Sequence, residues 1–488
     1  MRFRTLLPSI SAASIVLTVL GTAQAQGLPP EVDAALARAK IPREAMAVLL
    51  VDAQGQASPR VSHRANVAMN PASVMKLVTT YAALDLLGPS YTWATPIFVD
   101  GPVRDGTLHG NLTIQGQGDP KLVIERMWLL LRRIQGLGIR NIAGDIVLDN
   151  SAFALPAADP SAFDGEPLRP YNAAPDALLV NFKSVVMTFA PDPGNNLARV
   201  QFDPPLAGVQ MQATVPLLAG ECADYRGALK ADFSDPKAIR FAGGYTQSCG
   251  EKVWAVAYAD PKSYATRAVL GMWQDMGGKL QGSVRMGSVS GTTAAAYKPV
   301  LEVRSAPLAE IVRDINKYSN NVMAQQVYLT LGRVPTPPAA VAGVEDAVTA
   351  PGTFEASHKV VQRWWTERLG GADDMPVLDN GSGLSRTERI SANGLGRLLQ
   401  SAYASPLMPE LMGSLPINGV DGTLRRAKPR TSGYAHLKTG SLNEVVAVAG
   451  YVHVPAGKRY VLVAIVNHPN ARAARPAVEA MIDWASKQ

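Results

Sequence analysis

The segment PASVMKLVTTYAALDLL, residues 71–87, decides the fold. Pro71 and Ser73 stand where a helix begins, apolar residues recur at spacings of three and four, and Gly88-Pro89 closes it. This pattern predicts a helix over 71–87. Ser73 and Lys76, three apart, then share one face a turn from each other. Near a helix N-terminus, unpaired N–H groups and the dipole favour negative charge developing on the serine oxygen. A lysine removes a proton only when neutral, and burial or a neighbouring cation lowers its pKa. A serine nucleophile with a lysine base is the chemistry this segment fits. The S-x-x-K pattern recurs at Ser234-Asp235-Pro236-Lys237, where Pro236 excludes a helix interior, so only the first copy has the context the chemistry needs.

Outward from the segment the texture changes. Residues 90–118 alternate and turn like a hairpin, Leu122 to Gly136 reads as a helix, and Ile142 to Leu148 as a strand. From about 150 to 300 the chain is rich in Pro and Gly, with short β-like runs such as ARVQFD and KVWAVAYA. Helical periodicity returns in LAEIVRDINKYS and NVMAQQVYLTLG, broken at Ser319-Asn320, and again from Glu355 to Leu369. EVVAVAGYVHV and RYVLVAIVNH read as adjacent strands turning at Pro455-Ala456-Gly457, and a last helix runs from Arg475 to Ser486. An α/β start, a β-rich middle and an α/β finish point to an insertion inside one parent domain. The expected division is residues 26–88 with 302–488 as the parent, and 89–301 as inserted β-rich domains, two with one nested in the other.

At 488 residues, with 47% hydrophobic and 18% charged residues, the chain is globular and of more than one domain. Arg2 and Arg4, an apolar run from about Leu6 to Leu20 and Ala23-Gln24-Ala25 predict a signal peptide over residues 1–25, against an uncleaved anchor. No later stretch has the length of a membrane span, so export to a periplasm is expected. In an oxidising compartment Cys222 and Cys249 can pair, and a structural disulfide is expected rather than two buried thiols. The formal charge of +7 falls to +5 without Arg2 and Arg4 and is spread along the chain, which speaks against nucleic acid binding. The six histidines form no HExxH, and G-x-S-x-G, Walker A and G-x-G-x-x-G are all absent. That argues against zinc proteases, α/β-hydrolases and nucleotide enzymes.

S-x-N occurs at Ser319-Asn320-Asn321, Ser391-Ala392-Asn393 and Ser441-Leu442-Asn443. The first lies between two amphipathic helices, where a short turn points a hydroxyl and a carboxamide into a cleft; Ser391 reads as a helix cap before GLGRLL. Lys438-Thr439-Gly440 occurs once, opening the strand-like run. There a cation and a hydroxyl can hold a carboxylate, and Gly440 lets a substrate backbone approach.

In this order, S-x-x-K, S-x-N and K-T-G resemble the signature of the penicillin-binding proteins. Ser73 to Ser319 spans 246 residues and Ser319 to Lys438 spans 119. That long first gap resembles the low-molecular-mass class C members, the D-alanyl-D-alanine carboxypeptidase/endopeptidase family S13. YNAAPDALLVNF (171–182), DNGSGLSR (379–386), GVDGTLRR (419–426) and HLKTGSLNEVVAVAGYV (436–452) extend the likeness over nearly all of the mature chain. Ser441, where threonine is common, and Asn380, between Asp379 and Gly381, depart from the usual form.

The resemblance implies an α/β (α+β) fold: a transpeptidase-like domain with a five-stranded antiparallel sheet flanked by helices, carrying mostly-β insertions. It implies that Ser73 attacks the bond between two D-alanines and Lys76 takes its proton. Ser319 relays a proton to the leaving amine, and Asn321 positions Lys76 and the substrate amide. Lys438 and Thr439 hold the terminal carboxylate, and the backbone N–H groups of Ser73 and Ser441 form the oxyanion hole. Asp164 or Glu166 contacts the free amine of the stem peptide's diamino acid, the alternative being a solvated loop acid. Peptidoglycan stem peptides are the implied partners and β-lactams the implied covalent inhibitors. A β-lactamase or esterase on the same site, or a silent wall-binding protein, are the alternatives.

Overall fold

The computed structural model describes residues 27–288, 298–335, 350–371, 374–427 and 432–488. The expected signal peptide, residues 1–25, lies outside them. Two long apolar strands, Val445–His453 and Arg459–Asn467, form the centre of an all-antiparallel sheet of five. Met46–Asp52 and Val61–His63 complete one side, and Ala435–Leu442 is the opposite edge. The central strands are apolar throughout because both faces are covered. Ala447, Ala449, Tyr451, Val461, Val463 and Ile465 enter one core with Leu77, Tyr81 and Trp365. Their neighbours Val446, Val448, Val452, Leu462 and Ala464 enter a second core with Val32, Val478 and Met481, under the helices Pro30–Arg38 and Arg475–Ala485.

The first core holds the helices that carry the site. Lys76–Leu87 is buried from Lys76 through Leu84, so it is apolar on nearly every face and lies in the middle of the domain. Truncating a core side chain such as Leu77 to alanine costs about 2–5 kcal/mol. Around it pack Leu308–Tyr318, Asn321–Leu331, Phe354–Leu369 and Ala392–Tyr403. Ser391 caps the last of these, accepting from the Gly394 N–H at 2.8 Å.

The predicted helix over 71–87 differs at its start. Ala72–Met75 is a 3-10 turn, and the α-helix begins only at Lys76. Ala72 adopts φ +46°, which no propensity pattern reports.

Between the two halves of the parent sheet, strands from 94–149 and 279–304 form one five-stranded and one four-stranded sheet. Strands from 184–257, nested between these in the chain, form a further sheet of five and one of three. The buried apolar residues of both regions form one cluster, from Ile97 through Phe189 to Val303. The insertion is less purely β than its Pro/Gly content implied. Ile124–Gly136 is helical as expected, but so is Pro261–Asp275, whose Tyr264, Ala268, Val269, Met272 and Trp273 make a buried helical stripe. Cys222 and Cys249, 27 residues apart, are joined in a disulfide.

Candidate active site

Ser73 sits in the 3-10 turn, held by a polar clamp beneath it. Asn70 Oδ1 accepts from the Ala72 N–H at 2.8 Å, and Asn70 itself exchanges hydrogen bonds with the Asn467 side chain. Two glycines press on this turn. A Cβ on Gly440 would meet Pro71 O at 2.4 Å, and one on Gly383 would meet Ala72 O at 2.0 Å. The close approach at Gly440 is therefore made by the protein's own backbone, not by the substrate alone as its place on the strand suggested.

Lys76 is fully buried, and its Nζ lies 3.0 Å from Ser73 Oγ. The same nitrogen donates to Asn321 Oδ1 at 2.6 Å and to the Ser382 carbonyl. Burial lowers the Lys76 pKa to about 7, with the Glu388 carboxylate pulling it back up. Ser319 terminates the helix Leu308–Tyr318 in the left-handed conformation, φ +57° and ψ +38°, a strained state for a non-glycine residue. Asn320 caps the following helix, leaving Asn321 as its first residue beside Lys76. Lys438 Nζ donates to Ser319 Oγ at 2.9 Å and to its own chain at Thr439 O at 2.7 Å. Burial, and then the charge of Lys76, push Lys438 well below the ordinary lysine range.

Two clefts open beside Ser73 and share Ser73, Ser319, Ser441, Val446 and Arg475. One, of about 670 Å³, is also lined by Asn321, Asp164, Tyr171, Arg386 and Arg472. The other, of about 470 Å³, contains Thr439, Gly440, Thr423 and Arg426. Lys438 lines neither; the polar groups of the smaller cleft include Thr439, its 2.7 Å partner Thr423, and Arg426. Asp164 faces the larger cleft. Burial opposes its ionisation, but hydrogen bonds from Tyr171 at 2.8 Å and Asn172 at 2.7 Å hold its carboxyl below the usual range. Glu166 does not line that cleft and lies 3.4 Å from Arg169 on the surface.

A profile of the D-Ala-D-Ala carboxypeptidase 3 (S13) family matches residues 28–488. The chain belongs to that family. Such membership makes it a serine peptidase, and the S13 chain has relatives of matching length. It is 26% identical over 481 residues to the D-alanyl-D-alanine carboxypeptidase of Actinomadura sp. strain R39, covering 91% of this chain and 82% of that one. It is 23% identical to the D-alanyl-D-alanine carboxypeptidase DacB of Haemophilus influenzae, over 78% and 77%. Among solved structures, penicillin-binding protein 4 from H. influenzae superposes with a TM-score of 0.69 at 21% identity, over 94% of this chain and 99% of that one. A predatory endopeptidase of Bdellovibrio bacteriovorus superposes at 0.51 and 15% identity, over 90% and 92%. These likenesses show the fold: a five-stranded antiparallel sheet flanked by helices, with further sheets inserted between its strands in the chain.

The S13 site also has parts that sequence reasoning missed. Glu388 is fully buried, and its Oε1 accepts from three successive N–H groups, Asp379 and Asn380 at 3.2 Å and Gly381 at 2.9 Å. It thereby shapes the loop whose Ser382 carbonyl meets Lys76. Burial pushes Glu388 up to about 7 against the pull of those N–H groups. Its place two residues after DNGSGLSR was the only available signal. Thr423, Arg426 and Arg386 lie inside segments already noted for their likeness, but nothing in the residue order assigned them to a cleft.

Proposed function

We propose that the chain is a periplasmic serine D,D-peptidase of peptidoglycan, cleaving the terminal D-alanyl-D-alanine bond, D-alanyl cross-links, or both. The observation that carries this reading is the buried Lys76 side-chain nitrogen, 3.0 Å from Ser73 Oγ and lowered to a pKa of about 7. A lysine in that state takes the serine proton as Oγ attacks the carbonyl carbon. The backbone N–H groups of Ser73 and Ser441 receive the developing oxyanion. As the intermediate collapses, the C–N bond breaks and the proton taken by Lys76 reaches the departing D-alanine nitrogen through Ser319, which leaves Lys76 neutral again. Asn321 holds Lys76 and the substrate amide. Thr439, Thr423 and Arg426 receive the terminal carboxylate, with Lys438 acting through Ser319. Water then attacks the acyl-enzyme, and its proton returns through Lys76 while the acid product leaves. These steps call for no metal or cofactor.

Asp164 and Arg386 support a preference for a stem peptide that carries a diamino acid, the Asp164 carboxylate taking its free amine and the guanidinium its carboxylate. We also propose that residues 1–25 direct export, and that 26–88 with 302–488 form the peptidase domain around two nested insertions in 89–301. Among the described residues no helix is long and apolar enough to cross a membrane.

The test is a fluorescent penicillin applied to the mature protein and to Ser73→Ala, followed by digestion of a pentapeptide stem. A stable adduct lost in the variant, with release of D-alanine, is the expected result. An adduct that forms and vanishes quickly marks a β-lactamase instead, and no adduct at all removes the catalytic assignment.

A further inference from the structure

A third cavity, about 920 Å³, lies between the insertion and the helix junction at Ser319. It adjoins the catalytic cleft, with Tyr171, Tyr318, Ser319 and Asn321 lining both. Its walls are aromatic: Trp128, Tyr171 and Tyr318 are 49%, 40% and 67% exposed, and Phe182 stands beside them. Its charge is opposite to that of the cleft. Among the described residues Glu125 and Asp203 line it and no lysine or arginine does, whereas the cleft contains Arg386, Arg472 and Arg475.

The wall is built at a conformational cost. Asn181, Phe182 and Lys183 all have positive φ, +41°, +54° and +52°, a run that L-residues rarely adopt. Two contacts hold it: Asn181 Nδ2 donates to Ser184 O at 3.0 Å in a buried bond, and Lys183 pairs with Asp176 at 3.0 Å. This turn ends the segment YNAAPDALLVNF, which joins the cavity to the catalytic residues at its other end. There the Tyr171 carbonyl accepts from Asn321 Nδ2 at 3.4 Å.

Exposed aromatic faces with carboxylate acceptors and no cation suit an uncharged ring that offers C–H bonds on its faces and hydroxyls at its edge. They do not suit the stem peptide, whose free carboxylates would meet Glu125 and Asp203. We propose that this groove binds the saccharide chain of the substrate polymer, so that the glycan is held by the insertion while its stem peptide reaches Ser73. This rests on the peptidoglycan reading above.

The full-length mature enzyme is assayed with a disaccharide-bearing pentapeptide and with the same pentapeptide lacking sugar. Wild type is expected to show a lower KM for the sugar-bearing substrate. Trp128→Ala and Glu125→Gln, both on the exposed side of the helix Ile124–Gly136, are expected to raise that KM roughly three- to tenfold. Neither variant should change the sugar-free reaction or the rate of penicillin labelling. Equal KM values in wild type overturn the proposal, as does an equal loss on both substrates in Trp128→Ala. A gain that comes instead from lengthening a sugar-free peptide also overturns it, since the groove then takes peptide. If neither substrate is cleaved, the peptidase reading fails separately. Saturation-transfer NMR with tri-N-acetylchitotriose then decides the groove: transfer in wild type that is lost in Trp128→Ala upholds it, and none in wild type overturns it.

Discussion

Lys76 sheds its proton near neutrality because burial removes the water an ammonium needs, while Glu388 partly offsets that loss. Below a pH of about 7 the lysine is protonated and cannot accept the Ser73 proton. Acylation by benzylpenicillin should therefore fall about tenfold per pH unit below that point and level off above it, read as a second-order rate. Lys76→Ala should lower that rate about 10²- to 10⁴-fold with Ser73 intact. Glu388→Gln keeps an oxygen for the three loop N–H groups but removes the negative charge that raises Lys76. The acylation limb should then move to lower pH; a limb that stays in place would assign Glu388 to the loop's structure alone. Sequence order placed Ser73 beside Lys76 because an i, i+3 pair is a local fact. Glu388 lies 312 residues from Lys76 in the chain, and only folding joins them.

At the scale of elements, the nucleophile's turn is gripped between the edge strand Ala435–Leu442 and the loop after Asp379. Gly440 and Gly383 make that grip possible, since each leaves no room for a methyl group against the backbone at Pro71 or Ala72. Gly440→Ala should destabilise the protein by about 1–3 kcal/mol, read by thermal unfolding, and slow acylation by displacing Ser73. The sequence pattern located the helix and the Ser319 break, because their periodicities and caps are local, but it put Lys438-Thr439-Gly440 at the opening of EVVAVAGYV, whereas they lie on a strand of their own, Ala435–Leu442, paired antiparallel with that run. It did not resolve the 3-10 start, because the φ of +46° at Ala72 is imposed by the Asn70 and Asn467 contacts.

Across the whole molecule, the insertion is both a separate sheet system and a wall of the site. Asp176 and Gln326 exchange hydrogen bonds at 2.9 and 2.8 Å, and Trp93 Nε1 donates to Thr330 at 2.9 Å, so the insertion is fastened to the helix that begins at Asn321. The Cys222–Cys249 disulfide joins two segments of the nested region. Replacing both cysteines by serine should lower stability by about 3 kcal/mol, seen in chemical denaturation, while leaving the penicillin acylation rate unchanged. The helix Pro261–Asp275 shows why the middle of the chain was harder to read. Its neighbours are rich in Pro and Gly, and its stripe became clear only against the core it packs on.

The parent fold and the proximity of Ser73 to Lys76 could be read from the residue order alone. Alternating and 3.6-residue patterns, caps and the three short motifs are all encoded within a few residues. What only the tertiary structure decided was which groups face which space. Lys438 turns inward to Ser319 while Thr439, Thr423 and Arg426 face the cleft, and Asp164 reaches the site while Glu166 does not. Those outcomes depend on burial and on contacts between segments hundreds of residues apart, where the energy of a side chain is set by neighbours the local sequence does not name.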